Sequence, residues 1–423
     1  MLNNLIVGAG ITGLSGLKNP LFVDAQIFDR NVLAGGFTRS VHIDDFVFDY
    51  TGHFLHLSKF NCPLSLPGSF DLDQWKLIEK RSACYLDGVF VRAPFQYHLS
   101  DLGNDARLYY ESYLSALEEN TTKEEANLSL DNYFRASFGN LIADNFLIPY
   151  NEKLYGSSLD GFSTDSLKRF FPHPVSSKIE AGYKGIADTD AYNSRFWYPV
   201  IGGIDLLVKG LGSERQHTVD SLNLLDLDEK VAKFESGKTV KFSKLLSSVS
   251  LKAMCQFSYS RDMDFAAKGG SLSSSSTFAL NIGFSTSLPA ECSDLHWLYF
   301  SEKKFVFHRI GFYSNFNQNM APRGCSSIYV EVGVNGSECD ANYLIQRVLR
   351  DLSCLNMFDM TKIVSLHNLW MPVSYVHFNR DPLFEPEEIV KSFNKYEVFP
   401  AGRYGRWQYT SMEDGIIDGL TVG

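Results

Sequence analysis

Two groups of residues near the start of this 423-residue chain have types and spacings that could do chemistry. The first is Gly8-Ala9-Gly10-Ile11-Thr12-Gly13, which directly follows the apolar run Leu5-Ile6-Val7. Three glycines so spaced permit a tight turn, close approach of backbone to a pyrophosphate, and close packing of a helix on the preceding strand. The N-terminus of that helix would face the phosphate charge. A carboxylate about 20 residues on is placed for ribose hydroxyls, and Asp29, followed by Arg30, stands there at the end of Ala25-Gln26-Ile27-Phe28. The second group is His53 and His56 in Asp49-Tyr50-Thr51-Gly52-His53-Phe54-Leu55-His56. Histidines at i, i+3 read as a buried pair or as half of a metal site. No Cys, Asp or Glu accompanies them in ligand spacing, so no metal is expected.

Strand, glycine turn, helix, strand and acid together predict dinucleotide binding. Asn19-Pro20 should end the first helix early, because proline disfavours helix in the residue before it. A second glycine pair follows the acid in Gly35-Gly36-Phe37-Thr38-Arg39-Ser40. It reads either as a turn after the second strand or as something more specific. An acid, a few residues and a glycine pair resemble the entry to FAD-binding proteins of the glutathione-reductase and amine-oxidase type, where the chain loops back across the pyrophosphate.

Composition narrows the class. The net charge is −10, from 39 basic and 49 acidic residues, which argues against nucleic-acid binding. No apolar run reaches about 18 residues, so no membrane span is expected, and no signal peptide is read at the N-terminus. The 7 cysteines are scattered and never in CxxC spacing; reduced thiols in a cytoplasm follow as the expectation. Residues 104–160 read as helical, with Leu108, Tyr109, Tyr113 and Leu114 recurring at helical spacing. Residues 222–227, 231–234 and 240–249 alternate like a hairpin around Gly237. Strand-like runs follow at 277–284, 295–300, 306–313 and 327–332, and the serines at 273–276 read as a surface turn.

Later motifs, in order along nearly the whole chain, resemble UDP-galactopyranose mutases within the flavin amine-oxidase and protoporphyrinogen-oxidase superfamily. The His53 segment looks like that family's GxHxFH, and Arg92-Ala93-Pro94-Phe95-Gln96-Tyr97-His98-Leu99 is similar to its YPFQNNL. Pro149-Tyr150-Asn151-Glu152-Lys153-Leu154-Tyr155-Gly156 resembles PYNxKxWG, and Tyr198-Pro199-Val200-Ile201-Gly202-Gly203 resembles a segment that opens a helix. Phe307-His308-Arg309-Ile310 resembles FTRI, and the run from Gly402 to Met412, containing Arg403, Tyr409 and Ser411, resembles GRLxxYxYYDM.

The resemblance implies an α/β protein with α+β insertions: a Rossmann-like FAD-binding domain built from discontinuous segments, a helical insert, and an antiparallel β-sheet substrate domain. The segments expected are FAD-binding at 1–58, 197–265 and 385–423, sheet at 59–103 and 266–384, and a helical insert at 104–196. It further implies that His53 is a neutral imidazole beside the flavin and that Arg403 lies by the isoalloxazine. Gly8, Gly10, Ile11, Thr12, Gly13, Asp29, Arg30, Gly35, Gly36, Phe37, Thr38, Tyr409, Ser411 and Met412 complete the expected FAD contacts. Tyr150 would stack on the substrate base, Tyr155 and Phe95 would line its pocket with Trp297, and Arg309 and Tyr409 would reach its diphosphate. A guanidinium suits a diphosphate because its fork bonds two oxygens and keeps its charge. Taken alone, Tyr150 and Tyr155 read as core residues of a helix face, and Arg309 as a solvent-facing residue of an alternating strand.

Two departures stand out. Ser411 replaces the acid of YYDM, and no arginine follows Arg169-Phe170-Phe171-Pro172 where the family has one, leaving Arg195 as a substitute. The activity implied is interconversion of pyranose and furanose forms of a UDP-sugar through attack of reduced flavin N5 on the anomeric carbon, with His53, Arg309 and Arg403 at the reacting centre. The alternative is an FAD-dependent oxidoreductase of the amine-oxidase or protoporphyrinogen-oxidase type. The partners expected are a UDP-sugar and no nucleic acid, with a homodimer left open.

Overall fold

The structure is a computed structural model describing residues 3–119, 128–164, 174–186, 194–212, 217–336 and 338–423. The first apolar run forms the strand Asn3–Val7, whose last three residues are buried. It pairs in parallel with Gln26–Asp29 on one side and Thr239–Ser247 on the other. Thr218–Val219 extends the sheet past Gln26–Asp29, and Val398–Pro400 pairs with Thr239–Ser247, both in parallel. Parallel neighbours cannot be joined by a tight turn, so the chain leaves this sheet and returns to it from distant segments. Alternate residues face opposite sides of a strand. Ile6 and Leu246 accordingly join one buried cluster while Leu5 and Leu245 join the other, covering both faces. Leu222–Asp226 and Val231–Phe234 form the expected antiparallel hairpin, which Thr239–Ser247 continues.

The first helix is Ile11–Gly16, ending before Asn19. Asn19 is buried, and its side-chain amide donates to the carbonyls of Gly419 (3.4 Å) and Val422 (2.8 Å) at the end of the last helix, Met412–Thr421. These two helices touch backbone to backbone. A Cβ at Gly419 would stand 2.2 Å from the Thr12 carbonyl oxygen, and one at Gly13 would stand 1.8 Å from the Gly8 carbonyl oxygen.

A second sheet has seven strands in the order Ile363–Val376, Ser274–Phe284, Ser326–Val334, Arg309–Gly311, Trp297–Phe300, Ser82–Leu86, Val89–Arg92. Neighbours are antiparallel except Trp297–Phe300 with Ser82–Leu86, which run parallel. The serine run is not a surface turn. Ser274–Phe284 begins inside it, and Ser275 and Ser276 are fully buried. Ser275 donates its hydroxyl to the Leu154 carbonyl (3.1 Å), and Ser276 donates to those of Gly336 and Pro372. A hydroxyl so satisfied is tolerated in a buried strand, so polar composition misleads there.

Ala106–Glu119, Leu130–Phe138 and Ile148–Tyr155, the last entered through a π turn at Ala143–Leu147, pack around Tyr113, Phe134, Phe138 and Leu147. Among the described residues no helix is long and apolar enough to cross a membrane. All seven cysteines are unpaired thiols.

Candidate active site

One cleft of about 2500 Å³ runs from the glycine turn past His53 to Arg309, Arg403 and the tyrosines of the helical block. Sites for a single small ligand occupy roughly 300–1,000 Å³, so this cleft has room for two ligands end to end.

At one end lie Gly8, Gly10, Ile11, Thr12, Asp29, Arg30, Gly35, Gly36, Phe37 and Thr38. Gly13 is not in the wall; it lies behind, packed on Gly8. The two glycine turns are bridged side by side at Gly10 and Gly35, and the Gly35 N–H donates to the Ala9 carbonyl at 2.7 Å. Gly8 and Gly36 take left-handed backbone conformations, φ +101° and +59°, which glycine adopts at no steric cost. The Asp29 carboxylate accepts from the backbone N–H groups of Ala9 and Asn31, both at 2.7 Å. It is thereby fixed at the cleft edge with lone pairs to spare. Opposite it, Ser411, Met412 and Gly415 bring the start of the last helix into the wall. Ser411 caps that helix: its hydroxyl accepts from the Asp414 N–H (3.2 Å), and its own N–H donates to the Asp414 carboxylate (2.9 Å). The serine that stands in place of an acid thus serves the capping box.

At the middle, His53 lines the cleft, and its Nδ1 is buried without a partner. Burial, helped by the charges of Arg403 and Arg309 and opposed by Glu331, lowers its pKa to about 4 and keeps the ring neutral. His56 does not share this role. Its Nδ1 bonds to the Arg195 carbonyl at 2.8 Å, and burial together with Lys80 lowers it to about 4 as well. Among the described residues no group of three His, Cys, Asp or Glu is placed to hold a metal.

Arg403 enters from the short helix Gly402–Gly405. Its guanidinium donates to the carbonyls of Thr410 and Ser374, each at 3.1 Å, and lies 4.2 Å from the Tyr409 ring centroid. Its Nε is buried with no partner. Orphaned donors at His53 and Arg403, glycine turns without side chains, and a helix start with its positive end inward fit a flavin dinucleotide lying along the cleft.

At the far end, Arg309 of the strand Arg309–Gly311 sits opposite Glu331 of Ser326–Val334. Its Nε and Nη2 donate to Glu331 Oε2 at 2.7 and 2.5 Å. Burial alone would raise the Glu331 carboxyl, but the Arg309 charge and the His308 contact outweigh it and hold it at about 2. An aromatic column positions the arginine. Phe196 stacks on Phe54 at 3.8 Å, Phe54 on Trp297 at 4.4 Å, and the Arg309 guanidinium lies 4.8 Å from the Trp297 ring centroid.

A second column runs from Phe95 to Phe146 (4.7 Å) to Tyr150 (5.7 Å), with Tyr150 edge-on to Tyr299 at 5.5 Å. Tyr155 packs against Phe162 at 5.0 Å and near Tyr375, whose ring is 5.7 Å from Tyr409. Phe95, Tyr150, Tyr155, Trp297, Arg309 and Tyr409 therefore share one cleft, with Arg195 at its rim. The stretch 169–172 and His173 lie outside the described residues. Sequence reasoning placed Tyr299 only within an aromatic wall at 295–300 and missed Glu331 and Tyr375. Glu331 carried a signal, a lone acid amid Ile328, Tyr329, Val330 and Val332.

No family model and no curated protein matches this sequence. Solved structures do. A reduced UDP-galactopyranose mutase is 22% identical over 99% of this chain and 94% of its own, with a TM-score of 0.87. An Exiguobacterium sp. 255-15 protein assigned as a protoporphyrinogen oxidase is 14% identical over 99% and 97%, with a TM-score of 0.69. Putrescine oxidase bound to putrescine is 13% identical over the same shares, with a TM-score of 0.64. The chain therefore has the mixed α/β fold that UDP-galactopyranose mutase shares with these oxidases.

Proposed function

We propose that the protein binds FAD along the glycine turns and isomerises a UDP-linked sugar between pyranose and furanose forms. The observation that carries this reading is the Arg309 guanidinium, which lines a two-ligand cleft together with Tyr150, Tyr299, Tyr375 and Tyr409. A diphosphate-sugar needs cations and hydroxyl donors there; an apolar amine needs neither. The likeness to a reduced UDP-galactopyranose mutase, at the higher TM-score, supports the same choice.

Reduced FAD, when bound, supplies a nucleophilic ring nitrogen toward the sugar anomeric carbon. The chain's own residues do the rest. Gly8, Gly10 and Gly36 leave backbone space for the cofactor pyrophosphate. Arg309, held on Trp297 and oriented by Glu331, takes the charge that develops on a departing diphosphate. A preorganised cation in a water-poor site stabilises such charge without reorganising. Neutral His53 offers or accepts a hydrogen bond at Nδ1 without adding charge beside the sugar. The two aromatic columns exclude water from the reacting carbon. No protein nucleophile is required.

The test is to purify the flavin-loaded protein and titrate UDP and UDP-galactose with the flavin oxidised and then reduced. Binding that tightens on reduction, together with pyranose–furanose interconversion, is the expected result. A parent protein with no UDP affinity ends this reading. Peroxide release with an amine substrate would instead establish the oxidase.

A further inference from the structure

We infer that Lys80 is an anion-binding residue of the cleft, meeting a phosphate or carboxylate group of the ligand beside Arg309. The inference rests on the nucleotide-sugar reading only for the identity of that ligand.

Lys80 directly follows the strand Trp75–Glu79, and its backbone N–H donates to the Ser194 carbonyl at 2.7 Å. Its two neighbours also border the cleft. Glu79 stands opposite Arg195 in the strand register, and Arg81 pairs with Asp294 at 2.8 Å on the surface. Lys80 turns inward, its ammonium 5.4 Å from the Trp297 ring centroid. Arg309 lies 4.8 Å from the same ring, and Phe54 covers one face of it at 4.4 Å. Both cations therefore gather toward the face that Phe54 leaves open.

Their pairing differs. Arg309 is oriented by Glu331, which offsets part of the charge it presents to a ligand. Lys80 has no hydrogen bond and no ion pair to its ammonium among the described residues. Lys80 is half-buried in the cleft wall, where an ammonium loses part of its hydration at a cost that an indole face offsets only in part. Among the described residues no carboxylate pairs with it. An arriving anion would supply a partner, and Lys80 would add its charge to that of Arg309.

The free site has a measurable signature. Burial first, and then the charge of Arg309, lowers the Lys80 ammonium to about 8. His56, His296, Glu331 and Arg309 nearby all lie away from that range. Burial lowers His56 and His296 to about 4; against burial, the Arg309 charge holds Glu331 at about 2, and Glu331 keeps Arg309 charged. Anion binding should therefore weaken as pH rises past 8.

The experiment uses FAD-loaded parent, Lys80→Met and Lys80→Arg proteins, with flavin retention and melting temperature confirming the fold. Uridine, UDP, inorganic pyrophosphate and UDP-galacturonate are titrated calorimetrically. The expected result is that Lys80→Met weakens UDP and pyrophosphate by about 10- to 100-fold, the size of a charged hydrogen bond. Uridine should be unchanged, Lys80→Arg should restore most of the loss, and the fall in UDP affinity between pH 7 and 9 should vanish in Lys80→Met. A loss confined to UDP-galacturonate would place the anion on the sugar as a carboxylate. If the parent binds pyrophosphate through Lys80 but not UDP, the inference stands and the nucleotide-sugar reading fails. Parent-like binding of all three anions by Lys80→Met overturns the inference, and so does a parent that binds none of them.

Discussion

Arg309 enters the cleft already committed to Glu331, and that fixes what its removal would do. Arg309→Ala strands a carboxylate that is only 1% exposed, so it should lower folding stability by about 3–5 kcal/mol as well as UDP affinity. Arg309→Ala with Glu331→Gln should recover most of the stability and none of the affinity. Denaturant unfolding and UDP titration of both variants separate the two effects. Asp49 supplies a second residue-scale test. It accepts from Ser40 (2.6 Å), Tyr198 (2.5 Å) and the Ile204 N–H (3.1 Å). Burial outweighs these bonds and raises its carboxyl from 3.8 to about 7. A folded-state value raised above the unfolded one gives stability that is fully present below pH ~4 and lost as pH rises through ~7, an amount of about 4 kcal/mol. Asp49→Asn should flatten the melting temperature between pH 4 and 7 relative to the parent; an unchanged pH profile would refute this. Glycines and histidines were legible in the sequence because their chemistry depends on local spacing. Glu331 was legible in principle, as a charge in an apolar strand. Lys80 was not, since Glu79-Lys80-Arg81 reads as an exposed run until the sheets show which side is the cleft.

At the scale of elements, the glycines that shape the cofactor end act by absence. Gly13 and Gly419 let the first helix, the first strand and the last helix meet at backbone contact. Gly13→Ala and Gly419→Ala should each lose flavin retention and several degrees of melting temperature. Gly161→Ala, where no atom lies within 4 Å of the added carbon, should stay within about 0.5 kcal/mol of the parent. Flavin absorbance after gel filtration and thermal unfolding check all three. The early helix stop at Asn19-Pro20 was readable because proline acts on its immediate neighbour. The fate of Ser275 and Ser276 was not, because their partners, Leu154, Gly336 and Pro372, lie far along the chain. The parallel junction of Ser82–Leu86 with Trp297–Phe300 was unreadable for the same reason.

For the whole molecule, the cleft is assembled from both sheets and the helical block, so no single stretch of chain contains it. Segments far apart in sequence close its cofactor half, Gly8 to Thr12 on one side and residues 401–415 on the other. The bond between Asn19 and Gly419 spans 400 residues. This separation is also a delay. At about 5–20 residues per second, the ribosome makes the first glycine turn roughly 20–80 s before the helix that faces it. During that interval the nascent chain carries an open half-cradle with nothing to clasp. Flavin retention is therefore expected only after residues 398–415 have been made. Ribosome-stalled chains ending before residue 398 should retain no flavin, and released full-length chains should retain it. Flavin fluorescence of stalled and released complexes would distinguish this order from loading during synthesis.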